Sequence, residues 1–144
     1  MLWRLEGSPV VNYAMDFADV KADTWYTEAV RWAASTGIIT GYKIPAETTP
    51  WPMGFDPDEG VTREQLATML YRYAQYKKQS VSASADLGSF NDAATVSDWA
   101  TSAMQWAVGS GVINGMDGNL VPKGKATRAQ VATMLMRYST NAAK

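Results

Sequence analysis

Two arginines stand where a permanently charged side chain does most for an anion. Arg63 follows Thr62, Arg128 follows Thr127, and each pair opens a segment whose apolar residues recur at helical spacing. A threonine there serves as N-cap. Gln65 and Gln130, three residues on, complete a capping box, and such a cap contributes about 1 kcal/mol. An arginine in the first turn adds a planar fork of N–H donors to unpaired backbone amides at the positive end of the helix dipole, which suits a carboxylate. Arg63, Arg128, Thr62 and Thr127 are therefore the first ligand-binding candidates. The plainer alternative is a solvated arginine or an ion pair between segments.

Other groups carry less chemistry. Asp19 and Asp92 occupy matching positions and, being aspartates near turns, are read first as acceptors of backbone N–H groups and second as ligand contacts. Arg4, Arg72 and Arg137 recur at one helical position and read as structural charges near helix C-termini. The chain has neither cysteine nor histidine, which removes thiol and imidazole nucleophiles and the usual zinc ligands. Asp56 to Gly60 suggests a calcium loop only faintly: Val61 stands where such a loop needs glycine and Ala67 where it needs an acid. Asp19 with Glu64 is the one carboxylate pair worth considering for glycoside cleavage, and the second Thr-Arg segment has no acid to match Glu64. No enzymatic activity, metal or cofactor is expected.

Composition narrows the partners. The 144 residues are 47% hydrophobic, enough for one small domain or two repeat units. Thirteen basic and 14 acidic residues leave a formal charge of −1, so no global field draws the chain to nucleic acid or an anionic bilayer. No apolar run approaches the ~20 residues of a membrane-spanning helix. Met1 to Pro9 is too short and polar for a secretory signal, so an export signal is expected outside this sequence.

The elements that position the arginines occur twice. One copy runs from Phe17 and Asp19 through Trp25, Trp32, Gly37, Gly41 and Thr62 to Met69–Tyr73, the other from Phe90 and Asp92 through Trp99, Trp106, Gly111, Gly115 and Thr127 to Met134–Tyr138. Each copy predicts two helices. In the first, Trp25, Ala29, Trp32 and Ala33, matched by Trp99, Ala103, Trp106 and Ala107, form one apolar stripe, ended by Gly37 or Gly111 as left-handed caps. In the second, Leu66, Met69, Leu70 and Tyr73 are matched by Val131, Met134, Leu135 and Tyr138. Residues 43–54, with Pro45, Pro50 and Pro52, form an insert in the first copy and read as an irregular surface loop. The boundaries that follow are 1–15, matching the end of a preceding copy; 16–78, a first repeat; 79–88, a serine-rich linker; and 89–141, a second repeat.

This order of Phe-x-Asp, a tryptophan helix, Gly-Ile-Ile-x-Gly, Phe-x-Pro and Thr-Arg opening a helix resembles the S-layer homology domain across nearly the whole chain. The resemblance implies an all-α fold of tandem two-helix repeats with long loops, in a pseudo-threefold bundle lacking most of one repeat. It also implies an extracellular module that binds secondary cell-wall polysaccharide of bacteria, often pyruvylated, without covalent attachment. The ketal carboxylate would be the handle for Arg63 and Arg128, and an aromatic face from Trp25, Trp99 or Trp51 would cover the sugar ring. Helical spacing alone assigns Trp25 and Trp99 to packing instead. The family's Thr-Arg-Ala-Glu stands here with glutamine in fourth place, Gln65 and Gln130, which keeps the cap and removes the charge. The other function class is a protein interaction module, in which self-association or another such repeat fills the open position.

Overall fold

Helices dominate the computed structural model, which describes residues 1–15, 17–43 and 53–142, and their order repeats as the sequence does. The chain divides into two units, Met1–Glu59 and Gly60–Lys144. The division falls between the two helices of the first repeat.

In the first unit, α1 (Leu2–Leu5) is followed by α2 (Thr27–Ser35). A side-chain turn starts α2: the Thr27 hydroxyl accepts from Thr24 N at 3.0 Å and donates to Lys21 O at 2.7 Å. The helix buries Val30 and Trp32, and Gly37 ends it at φ +75°. Trp25 lies before the first turn and is 86% exposed, so the expected stripe begins later than its spacing suggests. The chain then buries Ile38 and Ile39 and reaches Gly41. Any Cβ at Gly41 would overlap the Phe17 ring and lie 2.7 Å from Gly54 O, so the turn requires glycine. Phe17 stacks on Phe55 at 5.8 Å. The insert read as irregular has paired ends, β1 (Tyr42–Lys43) and β2 (Met53–Gly54), antiparallel with Tyr42 opposite Gly54. Residues 44–52, including Trp51, lie outside the described residues.

In the second unit, α3 (Arg63–Tyr76) packs along α4 (Thr101–Gly109), and α5 (Arg128–Arg137) runs on into a wide turn at Tyr138–Ala142. From α3, Leu66, Ala67, Leu70, Tyr73 and Ala74 are buried; from α4, Ala103, Met104, Trp106 and Ala107. Tyr71 meets the edge of Trp106 at 5.5 Å, and Tyr73 lies 5.7 Å from Tyr138. Burying a side chain such as Leu70 contributes about 1.5–3 kcal/mol, and truncating it to alanine costs about 2–5 kcal/mol. Segment 79–88 lies against α4 rather than spanning open space. Ala85 N donates to Gln105 O at 3.0 Å, Leu87 is buried, and a Cβ on Gly109 would sit 2.7 Å from Ser84 N.

The turn geometry of the first repeat recurs. Gly111 ends α4 at φ +74°, and Gly115, at φ +79°, abuts Phe90 so closely that a Cβ would lie 2.7 Å from its ring. Where the first repeat carries its insert, the second closes Met116 onto Asn119 through Asp117 and Gly118, both at positive φ, a tight hairpin turn.

Candidate ligand site at the start of the long helix

Both Thr-Arg helices begin as expected. Thr62 Oγ1 accepts from Gln65 N at 3.2 Å while Thr62 N donates to Gln65 Oε1 at 2.9 Å. Thr127 and Gln130 do the same at 3.1 Å each. Beyond the cap the two starts differ. Arg63 N donates to Gly124 O at 2.9 Å and Glu64 N to Pro122 O at 3.0 Å, so the loop of the second repeat occupies the first amides of α3. The expectation of free backbone N–H donors beside Arg63 is thereby corrected. At α5 the amides of Arg128 and Ala129 have no acceptor among the described residues, and the Arg128 side chain is exposed.

Arg63 is the unusual group. It is only 5% exposed, and Nε donates to Leu120 O at 2.9 Å. Neither terminal amino group has a partner among the described residues. The only sealed and unbonded side-chain polar atoms there are Glu28 Oε2 and Trp106 Nε1, so the terminal nitrogens of Arg63 still reach solvent. Burial lowers its pKa from the ordinary guanidinium value, the Arg137 charge adds to this, and Asp92 opposes it. A guanidinium stays charged under such pressure and gains from an anion.

Beside it lies a polar cluster that spacing did not reveal. Glu64 is 2% exposed, and its carboxylate accepts from Ser97 N at 3.0 Å, Ser97 Oγ at 2.8 Å and Lys123 Nζ at 2.8 Å. Lys123, whose side chain is 58% exposed, also bonds Ser97 Oγ. Burial works to raise the Glu64 pKa, but the bonds from Lys123 and Ser97 outweigh it and hold it below 4.5. Ser97 precedes the 3-10 turn Asp98–Ala100, which presents Trp99 at 57% exposure instead of burying it in the α4 stripe.

The aspartates brace the loops. Asp92 accepts from Leu120 N and Val121 N, both at 2.7 Å, and Asp19 accepts from Phe55 N at 2.9 Å and Asp56 N at 2.7 Å. Burial tends to raise the Asp92 pKa, yet these N–H groups and Arg63 bring it below 3.8. The second unit thus brings together Arg63, Asp92 and the Trp99 turn from among the predicted residues, with Glu64, Ser97, Lys123 and Arg137 added. Asp19 and Trp25 belong to the other unit. No group of residues suited to hold a metal ion occurs among the described residues, and no helix there is long and apolar enough to cross a membrane.

Known proteins share this pattern. The S-layer homology domain profile matches residues 16–43 and 89–132, half of the chain. An amylopullulanase of Thermoanaerobacterium thermosulfurigenes is 32% identical over 140 residues, covering 94% of this chain and 7% of that protein. Exoglucanase XynX of Acetivibrio thermocellus is 34% identical over 128 residues, 85% of this chain and 11% of that protein. The surface-layer 125 kDa protein of Lysinibacillus sphaericus is 32% identical over 131 residues, 88% and 10%. The chain therefore spans about a tenth of the length of these relatives or less. With the profile met in both repeats, and the paired aspartates, glycines and threonines making the same bonds and turns in each, the chain belongs to the S-layer homology domain family.

Proposed function

We propose that the chain is a non-catalytic anchoring module that holds its parent protein on a bacterial cell wall by binding secondary cell-wall polysaccharide through an acidic substituent, a pyruvate ketal carboxylate. One observation carries the reading: a nearly buried guanidinium with its terminal N–H groups unpaired and within reach of solvent. A carboxylate meets that fork with two parallel hydrogen bonds, while a neutral hydroxyl gains far less. Trp99 offers an exposed ring for the apolar face of a sugar, and Lys123 adds a second cation. The relatives support an extracellular setting. Proteins named as polysaccharide-degrading enzymes and as a surface-layer protein share this short segment, so it serves something common to both groups.

The test is retention on purified wall polymer, with and without its pyruvate groups. Wild type is expected to bind the pyruvylated form, and Arg63→Ala to weaken binding about tenfold or more. Arg128→Ala is expected to matter less, because that side chain is exposed and its helix start lacks the enclosing loop. Equal binding to both polymers would refute the carboxylate reading.

A second reading, an assembly module, is favoured by α5. The α3 face carrying Glu64, Ala67 and Thr68 is buried, whereas the matching residues of α5 leave Ala129 and Ala132 exposed and Thr133 half-buried, with Met136 exposed one turn on. Another repeat of this family, or a second copy of the chain, fits such a face. Sedimentation against the 15.7 kDa mass distinguishes it, since a monomer at high concentration would remove self-association.

A further inference from the structure

The third residue of the Thr-Arg-x-Gln segment differs between the repeats: Glu64 in the first, Ala129 in the second. Both helices carry the same capping box, so an acid at this place is not needed to start the helix. A buried carboxylate costs free energy unless its partners satisfy it, and three donors do so here. Those donors come from two separate loops. Ser97 precedes the turn that presents Trp99; Lys123 lies in the 120–124 loop, whose Leu120, Pro122 and Gly124 carbonyls accept from Arg63 Nε, Glu64 N and Arg63 N. One side chain therefore ties the aromatic ring, the ammonium and the guanidinium of the site to a common frame.

We propose that Glu64 is a positioning residue: it fixes the Trp99 turn and the Lys123 ammonium relative to the free N–H groups of Arg63, and so sets both affinity and selectivity for an acidic sugar without touching it. The inference rests on the anchoring function proposed above. Two effects are separable. The bonds to Ser97 hold the Trp99 turn in place, and the pair with Lys123 offsets that ammonium, leaving the Arg63 guanidinium, near Asp92 but bonded only through Nε, as the cation with donors to offer. Without the carboxylate, Lys123 is released as a mobile charge that attracts any polyanion, and a carboxylate held at one point becomes a smaller part of the attraction.

The experiment uses the full chain and three variants, Glu64→Ala, Glu64→Gln and Arg63→Ala. Binding is measured to pyruvylated wall polymer and to dextran sulfate as an unrelated polyanion. Glutamine retains an acceptor oxygen but not the charge that offsets the ammonium; alanine loses both. Glu64→Ala is expected to lose about tenfold in affinity for the wall polymer, and Glu64→Gln to recover part of that loss. Both are expected to gain affinity for dextran sulfate at low salt, a change that general loosening of the fold would not produce. If Arg63→Ala loses binding while Glu64→Ala keeps both affinity and selectivity, the positioning role is overturned and the site stands. If neither variant changes binding, the carboxylate site itself fails. Should Glu64→Ala not fold, Ser97→Pro serves in its place: Ser97 has φ −65°, which proline adopts, and the change removes both the N–H and the hydroxyl that Glu64 accepts from while leaving the Glu64–Lys123 pair intact. It is expected to weaken wall-polymer binding without raising dextran sulfate binding, and unchanged wall-polymer binding in Ser97→Pro would overturn the role assigned to the Trp99 turn.

Discussion

At the scale of single residues, backbone strain and buried charge mark the site loop. Val121 has φ +51°, a left-handed conformation that a β-branched residue adopts at a cost of roughly 1–3 kcal/mol. Its counterpart Asp56 adopts the same conformation at φ +56°, where a short polar side chain is better tolerated. The strain sits between the Leu120 and Pro122 carbonyls that receive Arg63 and Glu64, and Asp92 holds it there through Val121 N. Val121→Asn is therefore expected to raise stability by about 1 kcal/mol, read as a higher urea midpoint at unchanged slope. The carboxylates set the acid limit. Glu64 and Asp92 both titrate below their ordinary values in the folded chain, so their stabilisation is complete above the unfolded values of 4.5 and 3.8 and is lost as pH falls through the folded ones. The urea midpoint should fall on acidification from about pH 6 to about pH 3, and fall less steeply in Glu64→Gln than in the parent.

At the scale of elements, two helices with the same opening sequence have different surroundings. The first amides of α3 are bonded to Gly124 O and Pro122 O, while those of α5 find no acceptor among the described residues. Amide exchange by NMR should show strong protection at Arg63 and Glu64 and little at Arg128 and Ala129; equal protection would mean that α5 is covered in solution. The helices themselves were legible in the sequence because caps and periodicity are local signals. Thr62 with Gln65 and Thr127 with Gln130 mark the starts, and Gly37 and Gly111 mark the ends. What misled was the reach of the stripe. Trp25 and Trp99 continue the period of their helices, but the hydroxyl turn at Thr27 and the 3-10 turn at Asp98–Ala100 begin the structure differently, leaving both rings exposed. The Glu64 cluster was not legible at all: its partners stand 33 and 59 residues away and carry no motif, so only the folded chain brings them together.

At the scale of the whole molecule, the sequence repeat and the compact unit have different boundaries. Alignment cuts the chain at the serine-rich segment 79–88, yet the division between units falls at Glu59–Gly60, because α3, from the first repeat, packs along α4, from the second. Removing α3 would strip Leu66, Ala67, Leu70, Tyr73 and Ala74 from the core, leave the side of α4 it packs along uncovered, and take the Tyr71 ring off Trp106. Each of the larger side chains accounts for about 1.5–3 kcal/mol, and a small domain holds only about 5–15 kcal/mol in total, so losing them is expected to leave the second repeat alone without a stable fold. It would also lose the capped helix start on which the carbonyls of Pro122 and Gly124 rest. A fragment of residues 60–144 is accordingly expected to give dispersed amide resonances and one cooperative thermal transition, while residues 79–144, the repeat with its leading segment, should show neither. Cooperative melting of the shorter fragment at the midpoint of the longer one would mean that α3 is an accessory to this unit and that the repeat read from the sequence is the folding unit after all.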